Sequence, residues 1–362
     1  MRSADPTDGS RLQTRHHILR GTLTALHTLG LDRLFATFSK TRGAILTLHH
    51  VREERRRGFA PNAHLSARAE FLDDLIDELR RDDVDIVAID EVPERLSARA
   101  ERRFVVLTFD DGYRDNLTNA VPVLRGQIAP FTIYVTTGFV DRSSAPWWEA
   151  LESLVRRQDR LLVQGEGGRV MDLDCSSVAA KDESYEFLID HFKTDVPEAE
   201  VAQCVEELCW LYGVDANKIV TTQIMDSDEL AALSRDPLCT LGAHTTTHRS
   251  LARLSREEAA SEIAQGRDEL QEISGERPRH LAYPYGFPAA AGAREFALAT
   301  ELGFETAVTT RRGVLYDAHA EHLTALPRIS LNGHYQERRY VVPLLTGLPT
   351  AIARGFRKLD VA

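Results

Sequence analysis

A chain of 362 residues, 43% hydrophobic and 27% charged, is long enough to bury one large core or two ordinary ones and has a globular composition. Its net charge of −11 speaks against a nucleic-acid partner, which calls for a basic face, and suits a neutral or cationic ligand. The four cysteines (Cys175, Cys204, Cys209, Cys239) show neither a C-x-x-C pair nor a disulfide-framework spacing and read as reduced, mostly structural thiols of a cytoplasmic protein.

Residues 1–42 contain no apolar run long enough for a spanning helix and lack the uninterrupted apolar region and small-residue cleavage site expected of a secretory leader. Leu19, Leu23, Leu26 and Leu34 trace one face of an amphipathic helix. Such a helix is expected to dock on its own domain, with peripheral membrane contact as the alternative. "GAILTLHHV" then predicts an inner strand, and the charged run 52–58 a solvated loop. A helix follows, with Ser66 as N-cap and Phe71, Leu72, Leu75, Ile76 and Leu79 on its apolar face. "VDIVAI", "RFVVLTF" and "FTIYVTT" predict strands, with a helix through "NLTNAVPVLRG" before the last.

The stretch 141–226 breaks this rhythm and reads as a helical insertion on a loop. Beyond it come the strand "LCTLGAH" and a long helix with a Ser255/Glu258 capping box that ends at Gly275. The strand "RHLAYP", a helix near "AREFALATELG" and the strand "FETAVTT" complete the series. Strands alternating with helices indicate a parallel α/β sheet or barrel over 43–345, followed by a tail at 346–362.

Two adjacent aspartates close the strand in "LTFDDG" (107–112). Neighbouring carboxylates repel, so the pair belongs either to a solvated turn or to a site holding a cation or a mobile proton. "GAHTTTHRSL" (242–251) places two histidines four residues apart at another strand end. Each motif alone is ambiguous. Both, however, fall at the C-terminal ends of predicted parallel strands, where α/β folds gather their sites. One carboxylate and two imidazoles suit Zn²⁺ with a position left for water, and the second aspartate is then placed to act as base. "LAYPYG" (281–286) adds a third strand-end segment, with Gly286 available for a tight turn.

"TFDDG", "HTTTH" and "YPYG", in this order, resemble the first three motifs of the polysaccharide deacetylase family (NodB homology, carbohydrate esterase family 4), which includes chitooligosaccharide and peptidoglycan deacetylases. The resemblance spans roughly residues 43–330. It implies a distorted (β/α) barrel and metal-dependent hydrolysis of N-acetyl, sometimes O-acetyl, groups on sugars. By position, Asp110 resembles the catalytic base, and Asp111, His244 and His248 the ligands of a divalent metal, most simply Zn²⁺. Tyr285 resembles the residue whose backbone N–H meets the oxyanion.

Two departures follow. Ala282 stands where the family's third motif often has an arginine that steadies the base, and Arg328 in "LPRISL" is the expected substitute. The usual C-terminal motif carrying the acid histidine is absent, and His319, His322 and His334 do not fit its pattern. A permuted branch, which includes biofilm poly-N-acetylglucosamine deacetylases, begins with I-L-x-Y-H-x-V. "ILTLHHV" resembles that segment and makes His49 the expected general acid, with His50 a structural or exposed neighbour. Trp147, Trp148 and Tyr113 are candidates for a sugar-stacking wall. The expected partner is an acetylated oligo- or polysaccharide. Two rival readings are a catalytically weakened glycan-binding or assembly protein on the same fold, and an amidohydrolase of a small non-sugar amide.

Overall fold

The apolar runs read above become seven short parallel strands in a computed structural model that describes residues 8–53, 58–98, 102–165, 170–353, 355 and 359–361. They are β1 (Thr41–Leu48), β2 (Phe104–Phe109), β3 (Phe131–Val135), β4 (Cys239–Ala243), β5 (His280–Ala282), β6 (Thr306–Arg312) and β7 (Leu326–Ser330). Their order is β1-β7-β6-β5-β4-β3-β2, and β2 pairs again with β1, from Gly43↔Phe104 to Leu48↔Phe109, so the sheet closes into a barrel. Closure removes the exposed edges that an open sheet must protect. Two-residue strands extend it locally, Asp85–Ile86 beside β2 and Leu315–Tyr316 beside the start of β1.

Alternation along each strand sorts residues between two cores. Ile45, Val106, Tyr134, Ala282, Val308 and Leu326 fill the barrel interior, with Ile89, Val92 and Leu96 in the same cluster. Ala44, Leu46, Leu48, Val105, Leu107 and Phe109 face outward against the helix Ala69–Arg81, whose Phe71, Leu72, Leu75, Ile76 and Leu79 are buried as its periodicity predicted. Gly242 makes room for the Tyr134 ring, since a Cβ there would lie 2.5 Å from it.

Several local expectations change. The helix Ala69–Arg81 is preceded by Arg68, not Ser66, which is buried in a two-residue strand and accepts a hydrogen bond from Arg52 Nε (3.0 Å). "VDIVAI" keeps only two extended residues before Ile89 begins a tight helical turn. The segment after "DDG" starts as a π-helical turn, Asn116–Ala120, before the helix Val121–Gly126. Leu23 packs on Tyr335 and Tyr340, but Leu34 lies on a second helix, Leu31–Phe38, and points to solvent with Leu31 and Phe38. No described helix is long and apolar enough to cross a membrane. Of the charged run 52–58, residues 54–57 lie outside the described residues.

The insertion is not wholly helical. Between the helices Trp147–Arg157 and Val178–Thr194 runs an antiparallel hairpin, Arg160–Gln164 with Val170–Asp174. Leu161 and Val163 turn inward while their neighbours face water, a strand periodicity that the helical reading overlooked. With the helices Val201–Leu211 and Ala216–Gln223 the insertion builds its own core around Trp148, Leu151, Tyr185, Leu188, Val205 and Cys209. Its far end is fastened to the barrel by Met225 N–H donating to Gly112 O (3.0 Å). All four cysteines are free thiols.

Candidate active site

Because the strands are parallel, all seven C-terminal ends open on one face, and the inward parity of three of them carries onto functional side chains. Thr108 leads to Asp110, Gly242 to His244, and Leu326 to Arg328, each two residues further along an inward row. The turns that follow are strained. Asp111, Thr245, His248 and Tyr285 are four of the seven described non-glycine residues with positive φ (73°, 64°, 59° and 60°). Such backbone persists where the surroundings over-determine it, and here it clusters at one site.

Asp111, His244 and His248 are buried and offer ligand atoms within 4.8 Å of one another. Asp111 Oδ1 lies 3.4 Å from His244 Nε2 and 3.3 Å from His248 Nε2, and it has no hydrogen-bond donor among the described residues. His244 Nδ1 is 2.7 Å from Ala282 O. A carbonyl can only accept, so Nδ1 carries a proton and Nε2 is the nitrogen turned toward the carboxylate. An orphaned carboxylate oxygen facing imidazole nitrogens in a buried pocket calls for a cation. One carboxylate and two imidazoles fit Zn²⁺ or a similar divalent ion, and the Ala282 carbonyl is the outer partner such a histidine needs. Burial pushes the Asp111 pKa up, yet the two facing histidines hold it well below the usual carboxylate value.

The loop bearing these ligands is gripped from both sides. Thr136 Oγ1 donates to His244 O (3.0 Å) and Gly138 N–H to Thr246 O (2.7 Å). Glu262, on the helix Arg256–Ser274, accepts from Thr247 N–H (2.9 Å) and Thr247 Oγ1 (2.5 Å). Gly266 lets that helix approach, since a Cβ there would meet the Thr245 carbonyl carbon at 2.5 Å. Glu262 carries no sequence signal, because on a long charged helix it looks like any solvated residue.

Asp110 points into the barrel and binds Arg328 in bidentate fashion, Nη1–Oδ1 2.7 Å and Nη2–Oδ2 2.6 Å. The guanidinium is fixed further by Nε donating to Thr309 O (2.9 Å) and Nη1 to Thr108 Oγ1 (3.1 Å), while Thr47 Oγ1 reaches Asp110 Oδ2 (3.3 Å). Desolvation would raise the Asp110 pKa, but Arg328 more than offsets it and keeps the carboxylate ionised. Arg328 thus sits against the expected base from another strand end.

His49 follows β1 at this same face, half-buried and close enough to feel the charges of Asp111 and Asp110. Burial draws its pKa below 6.5 against their pull. Its backbone is held by Asn116 Nδ2 donating to His49 O (2.6 Å). His50 is neither exposed nor unpartnered. It is buried against the Tyr113 ring at 3.6 Å, with Nδ1 2.6 Å from Asp115 and Nε2 3.6 Å from Glu149. His319 and His322 precede β7, at the opposite end of the barrel, and the His334 ring stacks on His64. The Tyr285 backbone N–H donates to no group among the described residues, while its carbonyl accepts from Thr310 Oγ1 (2.5 Å).

The expected aromatic wall is corrected. Tyr113, Trp147 and Trp148 are buried, with Trp148 Nε1 donating to Tyr113 Oη and Trp147 Nε1 to Tyr285 Oη, each at 3.0 Å. The Trp148 ring stands 4.9 Å from that of His248, so this group packs behind a ligand and offers little open face.

A family model described as polysaccharide deacetylase matches residues 97–161 and 202–307; the gap between them falls within the insertion. No curated protein matches the sequence. Among solved structures, the Streptococcus pyogenes deacetylase PplD in complex with acetate is 18% identical with a TM-score of 0.51, the match covering 85% of this chain and 99% of that one. IcaB from Ammonifex degensii is 17% identical with a TM-score of 0.52, covering 84% and 97%. A de-N-acetylase from Aggregatibacter actinomycetemcomitans is 12% identical with a TM-score of 0.51, covering 84% and 99%. At these identities the likeness is one of fold.

Proposed function

The chain belongs to the NodB-type polysaccharide deacetylases, and on that premise we propose that it hydrolyses N-acetyl groups on the sugars of an oligo- or polysaccharide. The observation that supports this site most directly is the convergence of the Asp111 oxygen with two imidazole nitrogens beside an ionised, arginine-clamped Asp110. Asp111, His244 and His248 would hold a divalent ion, which would supply Lewis acidity to an acetyl carbonyl and lower the pKa of water. Asp110, kept ionised by Arg328, takes the proton from the attacking water. The unpaired Tyr285 N–H donates to the oxygen on which negative charge develops. An amine leaves only once protonated, and His49, which follows β1 and feels the charges of Asp110 and Asp111, is the proposed donor of that proton.

Acetylated glucosamine oligomers are the proposed substrate class. The test is acetate release from defined N-acetylglucosamine oligomers and peptidoglycan fragments. The wild type should release acetate, and Asp110→Asn should lose it by roughly 10²–10⁴-fold. A zinc-loaded wild type inert on every one of them would overturn the reading.

A further inference from the structure

A group that hands over a proton must be held in place, since a misplacement of about 1 Å can cost roughly 10²-fold in rate. His49 sits where the barrel stops holding the chain. The β1–β2 ladder ends at Leu48↔Phe109, and Asp110 N–H donates to Leu48 O (3.0 Å). The next pairing, His50↔Ser66, belongs to a separate two-residue sheet, so His49 falls between the two. Side chains take over there. Asn116 Nδ2 donates to His49 O (2.6 Å), and Asn119 Nδ2 to Val51 O (2.7 Å). Asp115 accepts twice, from Val51 N–H at Oδ1 (3.0 Å) and from His50 Nδ1 at Oδ2 (2.6 Å). Asn116 Nδ2 also reaches Asp115 Oδ1 (3.2 Å), so the two side chains steady each other.

All three clamping residues belong to or border the π-helical turn Asn116–Ala120, a winding that recurs at functional sites. That turn follows directly on the segment bearing Asp110 and Asp111. The expected base, one metal ligand and the grip on His49 therefore lie on one continuous piece of chain. Resting on the deacetylase reading and on His49 as its acid, we propose that Asp115 and Asn116 are positioning residues for proton delivery. They hold His49 at a fixed reach from Asp110 and Asp111, and they act through His49 alone. Asn116 is fully buried, so water does not replace its amide once that is removed.

The experiment measures turnover of an N-acetylglucosamine tetramer and of an activated acetate ester, whose leaving group needs no proton. The zinc-loaded proteins are wild type, Asp115→Ala, Asp115→Asn, Asn116→Ala, His49→Ala and the Asp115→Ala/His49→Ala double variant. Asp115→Ala and Asn116→Ala should keep their metal and lose about tenfold in amide kcat at unchanged KM, with ester turnover falling about twofold or less. Asp115→Asn still offers an oxygen to Val51 N–H and should recover most of the loss. The double variant should be no slower on the amide than His49→Ala, because nothing is left to position. A purely architectural role would slow both substrates alike and add to the His49→Ala loss, and either result overturns the proposal. Should Asn116→Ala fail to fold, the half-buried Asp115 and its two variants decide the matter. Full amide turnover in these variants beside a slow His49→Ala overturns the positioning role alone. Full amide turnover in His49→Ala overturns the acid and its positioning together, and a wild type inert on the tetramer overturns the deacetylase reading with both.

Discussion

Replacing Arg328 with Met removes the only cation among the described residues in hydrogen-bond contact with Asp110 while keeping much of the buried volume. The side chains are 0% and 3% exposed, so water does not take over the two lost charged hydrogen bonds. Removing one partner of such a pair costs about 3–5 kcal/mol. Asp110 can escape that penalty by protonating. At pH 7 this costs about 4 kcal/mol, roughly three pH units above an ordinary carboxylate pKa at 1.36 kcal/mol each. The two figures are comparable, so the variant's Asp110 should titrate close to neutrality. Arg328→Met should then lose about 3–4 kcal/mol in urea unfolding with chelator present. The acid limb of its pH–rate profile for acetate release should move up by two or more units. Adding Asp110→Asn should recover most of the stability, because an uncharged pair leaves no lone buried charge. An Arg328→Met protein within about 1 kcal/mol of wild type, with its acid limb unmoved, would refute the reasoning.

Purified protein should hold about one divalent ion per chain, which elemental analysis will show lost in the His244→Ala/His248→Ala variant and weakened in Asp111→Asn, but kept in Asp110→Asn. His49→Ala should retain metal and slow amide hydrolysis roughly 10²-fold or more while sparing an activated ester, whose leaving group needs no proton; parallel turnover assays decide it, and an equal loss on both substrates contradicts the acid role. The buried His50 trio should make stability pH-dependent in two directions. Despite desolvation, Asp115 and Glu149 raise the His50 pKa above 6.5, so its contribution is complete below that pH and is lost as pH rises through the folded value. Glu149 is depressed below 4.5, burial notwithstanding, chiefly by His50, so its contribution is present above 4.5 and is lost as pH falls. Urea unfolding from pH 6 to 9 should show a steeper alkaline decline in wild type than in His50→Gln, and identical slopes would count against the trio.

The alternation of apolar strands with helices, readable in the chain, corresponds to the closed barrel, because strands buried on both faces must be apolar throughout and parallel neighbours need crossovers. Asp110–Asp111 and His244–His248 were conspicuous for the same local reason: charged and imidazole groups directly after buried strands need a use. Period-two alternation carries the inward row of Thr108, Gly242 and Leu326 onto Asp110, His244 and Arg328 once the fold shows which face is inward. What the chain could not state is which distant groups meet. Arg328 finds Asp110 across 218 residues: β7 pairs one side of β1, and only barrel closure sets β2 on the other side and so brings the carboxylate to the guanidinium. His50 read as an incidental neighbour of His49 until the insertion delivered Glu149 and the "DDG" segment delivered Asp115 to its two nitrogens. The three aromatics at 113, 147 and 148 were chosen by residue type, which cannot distinguish a packed ring from an open one, whereas the folded insertion buries them and leaves Trp210 in water. Periodicity is a property of neighbours along the backbone and survives in the sequence; burial and pairing belong to contacts between remote segments, and those exist only once the chain has closed on itself.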